Sequence, residues 1–128
     1  MSANSARIIV VDDERDIVHL VRRHLANEGF DIDTFTNPLY ALEIFKQYPE
    51  RYSMLLTDIN MPEMRGSALA REMKKLKPDI KVVIMTAFDL GVEEFSYSLP
   101  EIKRTDILKK PFRLGQLSEC VQKKLQNN

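Results

Sequence analysis

The sequence predicts an α/β fold: a three-layer (βα)5 domain in which a parallel five-stranded sheet is covered by helices on both faces. Two observations predict it. Short apolar runs rich in β-branched residues recur along the chain, and the stretches between them carry apolar residues at helical spacing. A third is punctuation, because Gly29, Pro49, Pro78 and Pro100 fall where those helical stretches should stop. Such alternation places helices on both sides of a parallel sheet, with right-handed crossovers.

The elements follow in order. RIIVV (7–11) is a continuous apolar run ending at Asp12, the pattern of a buried parallel strand. Over 14–28, Ile17, Leu20, Val21 and Leu25 mark a helix face, and Gly29 supplies its C-cap. FDIDTF (30–35) alternates strictly and reads as a half-exposed edge strand. Asn37 then caps a second helix with Pro38 at its first position and Ala41, Leu42 and Phe45 inward. Residues 54–57 form the third strand. Met61 and Pro62 shape the loop after it, and Gly66 gives backbone freedom before a third helix. That helix spans 67–77, with Leu69, Met73 and Leu76 inward. KVVIM (81–85) is the fourth strand, and Val92, Phe95 and Leu99 outline a short fourth helix. Residues 106–108 make the fifth strand. Leu114, Leu117, Val121 and Leu125 stripe the last helix, which Cys120 flanks as a partly buried small hydrophobe.

Length and composition bound the function. A chain of 128 residues fits one domain, expected over 1–128 with its core at about 6–124. With 44% hydrophobic and 30% charged residues it has a globular profile. Nineteen Lys plus Arg balance nineteen Asp plus Glu, which argues against direct nucleic-acid binding through bulk positive charge. The single cysteine fits a reducing cytoplasm. No run approaches the roughly 20 apolar residues of a membrane span, and the opening MSANSA is no signal peptide.

Ligand sites of open parallel sheets form at the carboxyl ends of strands, where the strand order reverses. Asp12, Asp13 and Glu14 follow strand one, Asp58 follows strand three, Thr86 and Ala87 follow strand four, and Lys109, Lys110 and Pro111 follow strand five. Three carboxylates brought together repel one another unless a cation neutralises them. Mg²⁺ (or Mn²⁺), a hard ion that takes oxygen ligands, suits Asp12, Asp13 and Asp58. A carboxylate beside such an ion can accept a phosphoryl group as an acyl phosphate, with Lys110 and Thr86 holding the phosphoryl oxygens. Taken singly, these residues have plainer readings. Asp12 or Asp13 alone is an N-cap, Asp58 a turn residue, Thr86 a strand-end residue and Lys110 a solvated cation. His19 and His24 lack metal-ligand spacing and read as solvated or packed side chains.

VVDDE, LLTDINMPEMRG, IMTA and DILKKPF occur in this order along the alternating pattern. On these motifs, residues 6–124 resemble the receiver domain of two-component response regulators. The resemblance implies a flavodoxin/CheY-like fold of strand order 2-1-3-4-5. It implies Asp58 as phosphoacceptor, with Thr86 and the Ala87 N–H on the phosphoryl group and Lys110 paired with it. It also implies Mg²⁺ held by Asp13, Asp58 and the backbone carbonyl of Asn60, with Asp12 acting mainly through a water on the ion. The Lys110–Pro111 bond is expected to be cis, and Lys109 fills a variable position.

The implied donor is a sensor histidine kinase or a histidine phosphotransfer protein, and the implied reader is a downstream protein. The chain would be a monomer or a phosphorylation-dependent dimer. Ile107 stands where the family often has Tyr or Phe. EIKRTD (101–106) replaces a Gly-Ala turn and makes the stretch from Thr86 to Lys110 about two residues longer than in the chemotaxis regulator. That predicts an unusual shape around the fourth helix. Phe88, two residues after Thr86, is expected to screen water from the acyl phosphate. No output domain follows, so both a stand-alone receiver and one taken from a longer chain fit. Two rivals remain: a receiver that binds its partner without phosphorylation, and an aspartate-nucleophile phosphatase, which would want a second Asp where Asn60 stands.

Overall fold

The computed structural model describes residues 6–126. Its elements run β1 (Arg7–Val11), α1 (Arg15–Asn27), β2 (Asp31–Phe35), α2 (Pro38–Gln47), β3 (Met54–Asp58), α3 (Gly66–Leu76), β4 (Lys81–Thr86), β5 (Ile107–Lys109) and α4 (Leu114–Gln126). The sheet is parallel throughout, in the order β2-β1-β3-β4-β5, so the order reverses between β1 and β3. The expected strand order and layering are therefore met.

Alternation along the strands divides the core in two. Ile8 and Val10 of β1, Met54 and Leu56 of β3, and Val83 and Met85 of β4 pack against Val21 and Leu25 of α1 and Leu117 and Val121 of α4. Ile9, Val11, Leu55, Val82 and Ile84 face the other way, against Ala41 and Phe45 of α2 and Leu69 and Met73 of α3. The three central strands thus bury both faces, which is why they read as unbroken apolar runs.

Caps set the helix limits. Asn37 accepts the Leu39 N–H at 2.9 Å, with Pro38 at the first helical position. Gly29, at φ 95°, takes the left-handed turn that ends α1. On the outer strand β2, Asp33 accepts hydrogen bonds from Arg7 at 3.1 Å and from the Tyr52 hydroxyl at 2.6 Å. Burial and the Asp33 carboxylate push the Tyr52 hydroxyl up to about 12, so it stays a proton donor.

Several expectations need correction. The predicted fourth helix is only a 3-10 turn, Val92–Phe95, in which Phe95 is buried and Val92 exposed. Gly91 before it and Pro100 after it leave too few residues of helical period to sustain α-geometry. Leu20 and Leu76, assigned to inward faces, are each 45% exposed; Val18 takes the buried place in α1. A stripe written at i, i+3, i+4 extends one position too far at helix edges, where a long aliphatic side chain can lie flat on the surface. Gly66 was expected to provide backbone freedom, yet its backbone is ordinary helix. What it provides is close approach. A Cβ there would meet the Asp58 carbonyl, 2.9 Å from its carbon, and Ile59 Cα at 3.1 Å.

Candidate functional site

Four strand ends hold the site, and past β1, β3 and β5 the sheet ladder runs on by one residue. The Asp12 N–H donates to Phe35 O (3.1 Å), the Ile59 N–H to Met85 O (3.2 Å) and the Lys110 N–H to Thr86 O (2.7 Å). Backbone hydrogen bonds therefore bracket Asp12, Asp58, Thr86 and Lys110 before any side chain acts. The Lys110–Pro111 peptide bond is cis, as expected.

The side chains then converge. One carboxylate oxygen from each of Asp12, Asp13 and Asp58 lies within 4.8 Å of the other two. Asp12 is fully buried and Asp13 is exposed. Lys110 Nζ donates to Asp12 at 2.7 Å and pairs with Asp58 at 3.5 Å, from a side chain only 12% exposed. Asp12 does not cap α1 directly, since Glu14 holds the N-cap position. Its carboxylate instead accepts the Glu14 N–H at 2.9 Å, using the other oxygen from the one Lys110 holds. The alternative reading of Asp12 as helix cap gives way to a fixed acid with both oxygens engaged.

Electrostatics follow from this packing. Burial, and then the Asp12 charge, push the Asp58 carboxyl up to about 6, against the opposing pull of Lys110. Burial also raises Asp12, although Lys110 and the Glu14 N–H oppose it. Burial works to lower Lys110, but its hydrogen bond to Asp12 and the Asp58 charge prevail and raise it, so it stays a cation. Three carboxylates against one ammonium leave a deficit of two positive charges. The donors are all oxygens, the set a hard divalent cation prefers.

Thr86, fully buried at the end of β4, accepts the Phe88 N–H at 3.0 Å through its hydroxyl oxygen. The hydroxyl proton is thereby left to donate. Phe88 itself is 56% exposed. Ile107 is half-buried against the core beneath α2 and α3, paired with Ile84 of β4, a wall residue with no hydroxyl to switch. His24 does pack rather than dangle: its Nε2 lies 2.6 Å from the Ser118 hydroxyl across the α1–α4 seam. The sequence reading overlooked Arg65, whose guanidinium donates to the Asn60 side chain at 3.3 Å. Its place five residues after Asn60, across a loop folded back by the Gly66 N–H to Ile59 O bond (2.9 Å), is not a periodic signal.

A parallel sheet with an acidic crevice at its switch point, faced by a strand-end threonine and lysine, defines the receiver class of signalling domain. The profile of the response regulator receiver domain matches residues 8–122, and the chain belongs to that family. It is a receiver domain of two-component signal transduction, a family whose standard function is phosphotransfer from a kinase and which binds Mg²⁺ at an acidic pocket.

Among its relatives is the response regulator receiver protein CpdR of Brucella abortus, 33% identical over 93% of this chain and 96% of that protein. Sporulation initiation phosphotransferase F of Bacillus subtilis is 30% identical over 93% of each. The sensor kinase CckA of Brucella abortus is 31% identical over 97% of this chain, but the chain spans only 13% of that kinase. Among solved structures, a response regulator receiver domain protein from Clostridium thermocellum superposes with a TM-score of 0.81 at 26% identity over 94% of both chains. The Vibrio cholerae chemotaxis protein CheY4 (TM-score 0.82, 20% identity, 94% of this chain and 98% of that one) shares the fold.

Proposed function

We propose that this chain is a phosphoacceptor switch in which Asp58 takes a phosphoryl group from a sensor histidine kinase or a histidine phosphotransfer protein. The observation that carries the reading is the convergence of Asp12, Asp13 and Lys110 on Asp58. The Asp58 carboxylate attacks phosphorus, the phosphorus–nitrogen bond of the donor breaks, and the departing imidazole nitrogen takes a proton. With its carboxyl near 6, Asp58 is mostly ionised at pH 7 and able to attack.

Asp13 and Asp58, with the Asn60 carbonyl, would hold Mg²⁺ or Mn²⁺, and Asp12 stands behind them. The ion supplies the positive charge that the acids and the phosphoryl oxygens need. Lys110 pairs with one phosphoryl oxygen, and the Thr86 hydroxyl, already accepting from Phe88, donates to another together with the Ala87 N–H. Attack of water on phosphorus later restores the carboxylate, so the domain catalyses its own phosphorylation and dephosphorylation.

Phosphorylation then changes the surface around Val92–Phe95, β5 and α4 that a downstream protein reads. This reading takes 1–128 as one receiver unit, cytoplasmic, either a monomer or a dimer formed on phosphorylation. It assigns no direct contact with nucleic acid or membrane. Among the described residues no helix is long and apolar enough to cross a membrane. Incubation with acetyl phosphate and Mg²⁺ should add about 80 Da, one phosphoryl group. Asp58→Asn should show no such gain. An unmodified wild type, or a gain that survives in the variant, overturns the assignment.

A further inference from the structure

At the opposite end of the sheet from Asp58 lies a cleft of about 560 Å³. It opens where β4 begins at Lys81 and where the chain enters β5 after Asp106, and the carboxyl-terminal half of α4 closes one side. Its far wall is residues 99–105, the part of the chain that the sequence marks as unusual and that phosphoryl transfer leaves without a role. We propose that this cleft is a binding site for a small organic anion with an apolar or aromatic body.

Three features carry the proposal. The volume falls in the range of small-molecule sites, roughly 300–1,000 Å³. Ile80 and Leu99, 1% and 2% exposed, make an apolar floor that Ile102 extends. Around that floor five lysines face three acids. Two of the acids are already engaged. Asp106 accepts from Lys124 Nζ and from the Lys103 N–H, each at 2.9 Å, and Glu101 lies 4.0 Å from Lys74. The rim therefore carries cationic excess, led by the exposed Lys103 and Lys123, over a floor that favours apolar contact. An inorganic anion would leave the floor unused, and a neutral apolar molecule would leave the rim unused.

The Cys120 thiol completes one wall and donates to Thr105 O at 3.4 Å. Burial, reinforced by the Asp106 charge, pushes it up to about 11, so it lines the site as a neutral group. An occupant would touch the roots of the two strands whose far ends present Thr86 and Lys110. It would thus brace β4 and β5 independently of any phosphorylation.

The test titrates the full chain with 1-anilinonaphthalene-8-sulfonate, an aromatic sulfonate, and follows its fluorescence. Saturable binding at one site is expected, weakened at least about fivefold in Lys103→Glu/Lys123→Glu. A control with the same charge change on α1, Arg22→Glu/Arg23→Glu, should bind as wild type does. Bound probe should also slow alkylation of Cys120 by N-ethylmaleimide in the wild type, a readout that needs no variant to fold. The proposal fails if binding does not saturate, if the control loses as much, or if Cys120 is not protected. Equal binding of neutral N-phenyl-1-naphthylamine, or displacement by equimolar inorganic phosphate, overturns the requirement for an anion with an apolar body.

Discussion

The backbone of Gly66 at the start of α3 lies directly against the carbonyl of Asp58, and a Cβ at this position would overlap it. The first turn of α3 is therefore stacked onto the residue that ends β3. Gly66→Ala should push the two apart. We expect a loss on the order of 2 kcal/mol, seen as a melting temperature about 5–10 °C lower. Phosphorylation by acetyl phosphate should slow at the same time, because Asp58 is displaced. An alanine variant that melts with wild type would show that the contact relaxes freely.

Burial of Asp58, with the Asp12 charge beside it, makes the cation-free domain pH-sensitive. Its carboxyl titrates near 6 in the fold, against 3.8 for an unperturbed Asp. The folded chain thus keeps a proton that the unfolded chain has lost. Stability should fall as pH rises from about 4 to 6, and the full penalty, on the order of 3 kcal/mol, persists above that. Asp58→Asn removes the penalty. In chelator, it should melt roughly 10 °C above wild type at pH 7.5 and nearly together with it at pH 4. A constant difference across that range would show that the fold does not raise the Asp58 carboxyl.

Lys110 should stabilise the fold apart from its proposed role at the phosphoryl group. Without it the fully buried Asp12 loses its cation, which should cost about 3 kcal/mol in Lys110→Met. Added Mg²⁺ should recover part of the loss in a thermal melt, since a divalent cation restores positive charge beside the same carboxylate. Acetyl phosphate should modify the variant far more slowly. No stability change on mutation would mean that Asp12 is neutral in the wild type.

Phe88 stands two residues after Thr86, with its backbone N–H bonded to the Thr86 hydroxyl and the residue 56% exposed. Its proposed role is to screen the approach of water to a phosphoryl group on Asp58. Phe88→Ala should therefore shorten the acyl-phosphate lifetime several-fold, about 1 kcal/mol in barrier, without changing the thermal melt of the unmodified protein. An unchanged lifetime would remove Phe88 from that role.

How much of this could be read from the chain alone depends on what kind of contact was involved. Asp12, Asp58, Thr86 and Lys110 were legible because each follows an apolar run, and the end of a buried strand is where the sheet presents a polar group. The face-by-face division of the core was legible in the same way, from period. Contacts across loops were not. Arg65 reaching Asn60, Gly66 lying on Asp58 and the cleft beside residues 99–105 arise from how segments fold back, and no spacing encodes that. The fourth helix failed for a related reason. Val92, Phe95 and Leu99 have the right spacing, but between Gly91 and Pro100 only one 3-10 turn forms.

The sheet's two rims bear on behaviour at high concentration. A strand with open hydrogen-bonding groups is a template for a neighbour's strand, and growth from such a template leads to aggregates. Here β5 is three residues long and leaves little to template. On the opposite rim β2 carries Asp31 and Asp33, with Arg7 alongside both. A second copy approaching in register would bring carboxylate against carboxylate. The chain thus resists edge-to-edge polymerisation through one rim that is short and one that is charged, leaving its helices as the surfaces on which specific recognition can evolve.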